Sequence, residues 1–334
     1  MTQLSTGFCE IRRKLVDAPE TITLSTWLVV FLFFSLTAKE FTSPHALSNI
    51  LTFGGLYGIV VIGVAFVMIS GEFDLSVGSI LAVAGYVFAL SLRAGVPPIL
   101  AVGLALAVSG LLGVVNGTLV AFSNLPSFIV TLGTLFAYRG VARLLGNGLA
   151  VTYTPTERPA LFAYLNGYLE SVNQVFDYPA NFRTSSFWFL GLTIVMTFVL
   201  MRTSYGNWVF ASGGNPEAAQ AQGVNVRRVK LINFGLSGLF AGFAGVTIFC
   251  ERGSATPLAG MGIELIAITA SVIGGIRLSG GQGTIIGAGI GILLLSTLEQ
   301  GLALMGVPNE IFRALAGLII ILTVITNSYL EKGQ

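Results

Sequence analysis

The chain is expected to fold as an all-α, polytopic membrane protein, and three features of its sequence lead there. Charged residues make up only 10% of it and hydrophobic residues 54%, whereas a soluble domain carries about 25% charged residues. Too few charges remain to cover a globule with a solvated surface, so lipid must be the solvent. The apolar residues also gather into runs close to the roughly 20 residues that a spanning helix needs. Glycine is the third feature: 42 of 334 residues is roughly twice the usual share of about 7%. On a membrane helix, glycine lets a neighbouring backbone approach closely.

Apolar stretches fall near 22–38, 46–70, 75–92, 97–122, 126–145, 186–201, 230–250, 263–276, 284–305 and 308–327. They predict about ten transmembrane helices in one unit over 22–328. The stretch at 263–276 is too short to cross comfortably, so it is tilted, extended by polar neighbours, or re-entrant. The first resembles a signal peptide because Arg12, Arg13 and Lys14 precede it. Asp17, Pro19 and Glu20 separate those cations from the apolar run, so an uncleaved helix is expected.

Lysine and arginine set the orientation, because cytoplasmic loops carry the excess. Arg12–Lys14 and the cluster Arg227, Arg228 and Lys230 fall on one side of a ten-span arrangement. Both termini (1–21 and 329–334) are therefore expected in the cytoplasm. Residues 146–185 form an outer loop with a short amphipathic helix over Glu157–Val172. Residues 203–228 form an inner loop.

Several kinds of chemistry find no support. A lone His45 allows no histidine pair, metal triad or Ser-His-Asp set. Cys9 and Cys250 have no local spacing that suggests a metal site or disulfide framework. A net charge of +2 without a basic face argues against nucleic acid. Leu278-Ser279-Gly280-Gly281-Gln282 spells the signature of ABC ATPases, but the chain contains no Gly-Lys dipeptide and hence no phosphate-binding loop. The run is read as a glycine-rich turn between helices, and no cofactor or metal is expected on this chain.

Ionisable groups at membrane depth are functional candidates. Glu72 and Asp74 end the second stretch at the inner face, and Glu264 lies early in the eighth. Glu299 and Arg313 flank the turn Gly306-Val307-Pro308-Asn309 and are expected to form a structural ion pair across a hairpin.

Five segments occur in order: Gly71-Glu72-Phe73-Asp74-Leu75-Ser76-Val77-Gly78-Ser79, Asn124 to Thr134, Gly213 to Ala219, Gly223-Val224-Asn225-Val226, and Val272-Ile273-Gly274-Gly275 with Leu278 to Thr284. Together, over roughly residues 45–325, they resemble the permeases of simple-sugar ABC importers, the ribose, xylose, arabinose, galactose and autoinducer-2 type. Two departures stand out: Glu72-Phe73, where the family more often has a small apolar pair, and a long outer loop. The resemblance implies a bacterial inner-membrane protein powered by a separate ATPase subunit that uses the ATP. It also implies a periplasmic sugar-binding protein and a second permease, a copy or a paralogue. The ATPase-coupling loop would be Gly213, Gly214, Asn215, Pro216, Glu217, Ala218, Ala219 and Gly223. Within it, a short helix over Pro216–Gln222 is expected, capped by Asn215 and ended by Gly223 in a left-handed conformation.

Candidate pathway-lining groups are Asn116, Ser123, Asn124, Thr131 and Thr134, although helix–helix hydrogen bonding explains them equally well. An ATP-independent carrier or facilitator is the alternative function. Coupling carboxylates or half-helices around a midplane ion site would favour it.

Overall fold

The computed structural model describes residues 19–155, 158–176 and 180–308, with 311–312, 314 and 317–318 beyond them. Helices α1 (Pro19–Thr37), α2 (Pro44–Ile69), α3 (Val77–Arg93), α4 (Pro98–Ser123) and α5 (Ser127–Leu145) lead into the outer loop, which holds α6 (Ala160–Asn166) and α7 (Glu170–Asn173). Then follow α8 (Ser185–Arg202), α9 (Ser204–Gly214), α10 (Pro216–Ala221), α11 (Val226–Arg252), α12 (Ile263–Ile273) and α13 (Ile285–Leu304). Proline begins α2, α4 and α10, where its missing N–H has no intrahelical partner to lose. Among the described residues, seven helices (α1, α2, α4, α5, α8, α11 and α13) are long and apolar enough to cross a membrane, while α3 and α12 are shorter apolar helices. The chain is a multi-pass membrane protein. Nine of the ten expected stretches carry a helix; the tenth, 308–327, falls mostly outside the described residues.

Two helices form the centre. Helix α11 packs on α4, α3 and α2, and α2 packs in turn on α13 and α8. Both are buried along most of their length, whereas α1 and α8 expose most of their apolar residues. Glycine permits the closest of these crossings. A Cβ on Gly113 would overlap the Phe234 carbonyl, one on Gly117 would lie 2.8 Å from Leu231 Cα, and one on Gly238 would overlap the Ser109 carbonyl. Gly113 and Gly117 on α4 thus face α11 at four-residue spacing, the close-approach pattern of membrane helices.

The two ends of the bundle are distinct. At one, the Tyr86 hydroxyl donates to Leu149 O (2.7 Å) and Arg93 Nε to Thr152 O (2.9 Å). Strands β1 (Val151–Thr152) and β2 (Ser254–Ala255) pair antiparallel there, fastening the outer loop to the chain that leaves α11. The amphipathic helix expected over Glu157–Val172 is instead two short helices. Gly167 ends α6 in extended backbone, its N–H held by Thr184 Oγ1 at 2.9 Å, and Tyr168 bridges Arg183. At the other end, Thr23 Oγ1 donates to Ile273 O (2.8 Å), Lys230 pairs with Glu72, and the Arg227 guanidinium lies 5.2 Å from the Phe122 ring centroid.

The arginine distribution predicts that this second end faces the cytoplasm. In a background carrying Cys9→Ser and Cys250→Ser, Lys39→Cys and Gln174→Cys are expected to react with an impermeant thiol reagent from outside. Asn215→Cys should react only after the membrane is opened. Labelling of Asn215→Cys in intact cells would invert the arrangement.

Candidate translocation and coupling site

Between α2 and α3 the chain does not simply turn at the membrane surface. Gly71, at φ 82°, reverses it, and residues 72–76 run back into the bundle. Glu72 stays with Lys230. Asp74, expected beside it at the inner face, is instead completely buried. Its Oδ1 accepts from Ser76 N (3.0 Å) and Ser76 Oγ (2.7 Å), and its Oδ2 from Ser237 Oγ (2.8 Å). Ser237 stands about 16 Å along α11 from its first residue, so the carboxylate lies well inside the bundle. Outer members aim their donors the same way: Tyr138 OH to Asn116 Oδ1 (3.0 Å), and Asn116 Nδ2 to Ser76 Oγ (2.7 Å). These donors replace the water that a buried carboxylate would otherwise lose.

A second break precedes α12. Its 11 residues reach about 16 Å, roughly half of a hydrocarbon core of about 30 Å. Non-helical chain makes up the difference. Residues 256–262 leave bare carbonyls, and Arg139 on α5 answers two of them: its Nη1 donates to Pro257 O (2.9 Å) and Ala259 O (2.7 Å). Glu264 Oε1 accepts from Gly262 N (3.2 Å). Gly260, at φ 67°, lies so near the start of α3 that a Cβ on it would sit 2.8 Å from Gly78 O. The beginnings of α3 and α12 therefore touch inside the bundle.

At the inner end, the segment 203–228 is more ordered than a loop. Thr203 caps α9, accepting from Gly206 N at 3.3 Å. The Tyr205 hydroxyl reaches Asn233 Oδ1, and Asn233 Nδ2 donates to Phe66 O (3.2 Å). Helix α10 follows directly. Asn215 Oδ1 accepts from Ala218 N (2.9 Å), Pro216 opens the helix, and Gly223 takes φ 87°. Ala219 is turned inward, whereas Gly214 to Ala218 and Gln220 to Gly223 are exposed.

Three glycine segments meet behind α10. A Cβ on Gly213 would strike the Ile69 carbonyl, one on Gly280 would come within 2.6 Å of Gly71 Cα, and one on Gly281 within 2.6 Å of Gly214 Cα. Gly281 N donates to Ile69 O (2.8 Å). This junction explains the Leu278–Gln282 run physically: Gly280 and Gly281, at φ 79° and 73°, let backbone press on backbone.

At the outer end lie two cavities of about 300 and about 630 Å³. They share a wall of Phe53, Tyr57, Arg252 and Glu299. Phe53 and Tyr57 are an edge-to-face pair with ring centroids 4.2 Å apart. The larger cavity continues along 256–262 to Glu264 and Thr269.

The model of a family described as the permease component of branched-chain amino acid transport systems matches residues 46–324. The chain belongs to this permease family. Among its relatives, the ribose import permease RbsC of Escherichia coli K12 is 34% identical over 92% of this chain and 94% of its own. The L-arabinose ABC transporter permease AraH of Azospirillum brasilense is 34% identical over 91% and 86% of the two chains. The xylose transport system permease XylH of E. coli K12 is 32% identical over 93% and 92%. No solved structure matches the chain significantly. Family and apolar helices together make it a multi-pass inner-membrane permease.

In this permease the five residues named from sequence for the pathway do not converge. Asn116 and Thr131 are buried, and Thr131 Oγ1 donates to Phe73 O (3.2 Å) and Ser127 O (2.8 Å). Thr134 Oγ1 donates to Thr131 O (3.3 Å). Ser123 and Asn124 lie exposed at the turn between α4 and α5. None of the five lines either outer cavity; Asn116 and Thr131 bond across to neighbouring elements, whereas Ser123 and Thr134 bond within their own turn or helix. Arg313, expected to pair with Glu299, lies outside the described residues. Sequence reasoning left Arg139 without a role and overlooked the aromatic pair on α2. The signals available were a lone cation inside a span and two aromatics four residues apart on one helix face.

Proposed function

We propose that this permease forms one subunit of a two-permease, ATP-driven importer for a pentose, hexose or related sugar. A separate ABC ATPase supplies the energy, and a periplasmic binding protein delivers the sugar. The relatives named for ribose, L-arabinose and xylose support the substrate class. The observation that carries ATPase coupling is α10, a short, exposed helix capped at both ends and seated on the glycine junction.

That placement suits force transmission. A partner that grips α10 moves Gly213 and Gly214, which lie against Gly71 and Gly280–Gly281. Gly71 leads to the Asp74 segment and α3, and residues 280–281 lead to α13. With no side chains between these backbones, a displacement passes on with little slack. Rigid movement of packed elements is a recurrent way to switch between states. In this reading ATP belongs to the partner, and the Leu278–Gln282 run serves packing.

Ala218→Trp puts bulk on the exposed face of α10, and Gly223→Val strains a left-handed residue by about 1–2 kcal/mol. Both are expected to reduce uptake of radiolabelled D-ribose, D-xylose or L-arabinose by the whole transporter and to weaken co-purification of its ATPase. Membrane-domain stability should stay near normal. Glu217→Ala should do less, because an exposed charge near a helix end contributes about 0.3–1 kcal/mol. If Ala218→Trp transports at the unsubstituted rate with its ATPase bound, α10 is not the coupling element. The carrier reading would then gain.

A further inference from the structure

We propose that the paired outer cavities form the vestibule in which the sugar is held during translocation, with Phe53 and Tyr57 as its stacking face. This deepens the importer reading and rests on it. The first reason is the backbone. Within a membrane, non-helical chain occurs only where protein buries it or where it lines a water-filled space. Residues 256–262 are non-helical, and they line the larger cavity. That cavity is therefore wet, and it leads inward along the same segment that Arg139 holds in place.

The second reason is the chemistry of the wall. A sugar presents hydroxyls that both donate and accept, and a C–H face that is nearly apolar. Aromatic rings give an apolar body at little conformational cost. Carboxylates accept strong hydrogen bonds, and guanidinium and amide groups donate them. The smaller cavity brings these types together: Phe53 and Tyr57, then Glu299, Arg252, Asn49 and Gln300. Its volume, about 300 Å³, is at the lower end of the range of about 300–1,000 Å³ usual for small-molecule sites. A cavity built for an apolar solute would not be lined by Glu299, Arg252, Asn49 and Gln300 together.

The third reason is position. The mouth is built with the outer loop: Thr52 Oγ1 donates to Asn181 O (2.8 Å), Asn181 Nδ2 reaches Asn49 Oδ1 (3.4 Å), and Arg183 lies 3.7 Å from Glu251. A binding protein docked at this end would open directly onto it. The long outer loop thereby acquires a role as the frame of the mouth.

The test uses the complete transporter and radiolabelled D-ribose, D-xylose and L-arabinose. Phe53→Leu keeps apolar volume but removes the ring, and should lower uptake on the order of ten-fold. Phe53→Trp should retain most of it. Gln300→Ala should cost about ten-fold as well. The amount of assembled complex and its melting temperature report folding separately. As a second measurement, with Cys9→Ser and Cys250→Ser in place, thiol labelling of Gln300→Cys should slow when the transported pentose is present. Near-normal uptake by Phe53→Leu and Gln300→Ala, or labelling indifferent to every pentose, would overturn the vestibule while leaving the importer intact. If the unsubstituted transporter takes up none of the three and no hexose, the importer reading fails first and the vestibule falls with it.

Discussion

Arg139→Leu is expected to be the most damaging single substitution in the membrane domain. The two carbonyls that Arg139 Nη1 satisfies belong to a non-helical segment whose turn hydrogen bonds run instead to the Thr256, Leu258 and Gly260 carbonyls. Leaving a buried polar group unpaired costs about 1–3 kcal/mol, and two are released together. The Glu264 carboxylate, within electrostatic reach of Arg139, would also lose its counter-charge. Thermal unfolding in detergent should move down by several degrees, and sugar uptake by the assembled transporter should fall to background. Arg139→Lys should be intermediate, since one ammonium can still donate twice but reaches less far. Normal melting and uptake in Arg139→Leu would show that water alone satisfies the Pro257 and Ala259 carbonyls.

Asp74→Ala is expected to come next. It leaves Ser76 N, Ser76 Oγ and Ser237 Oγ without their acceptor at a site with no exposed surface. Leaving a buried donor without its acceptor costs about 1–3 kcal/mol, so with three donors released a loss on the order of 3–5 kcal/mol is anticipated. Asp74→Asn keeps one acceptor oxygen but turns an amide toward existing donors, and should lose about half as much. Melting temperature and transport should fall together in both variants. Full stability with transport abolished would instead place Asp74 in the pathway.

Much of the architecture was legible in the residues themselves. Apolar length marks membrane helices because lipid forces every backbone group to find its partner within the helix, so nine of the expected stretches carry one. The short helix α10 was equally local: an asparagine cap, a proline at the first position and a glycine after the last turn determine its ends without help from the rest of the chain. Helix α9 escaped notice because its polar sequence reads as loop. What makes it a helix is the burial of Val209 and the bond from Tyr205 to Asn233, a partner 28 residues away.

Order and identity of residues along the chain thus determined the fold class, the helical stretches, the family and the short helix α10, all properties of local pattern. Only the tertiary structure decided where the polar groups go. Asn116, Thr131, Asp74 and Glu299 are equally plausible pathway residues in a string of letters, because a hydroxyl, an amide or a carboxylate can fasten two helices or greet a sugar. Three-dimensional placement separates them: Asn116, Thr131 and Asp74 spend their bonds inside the bundle, while Glu299 shares a cavity wall with Phe53 and Tyr57. Each hydrogen-bonding group has few partners to make, and which ones it meets depends on helices brought together from distant parts of the chain.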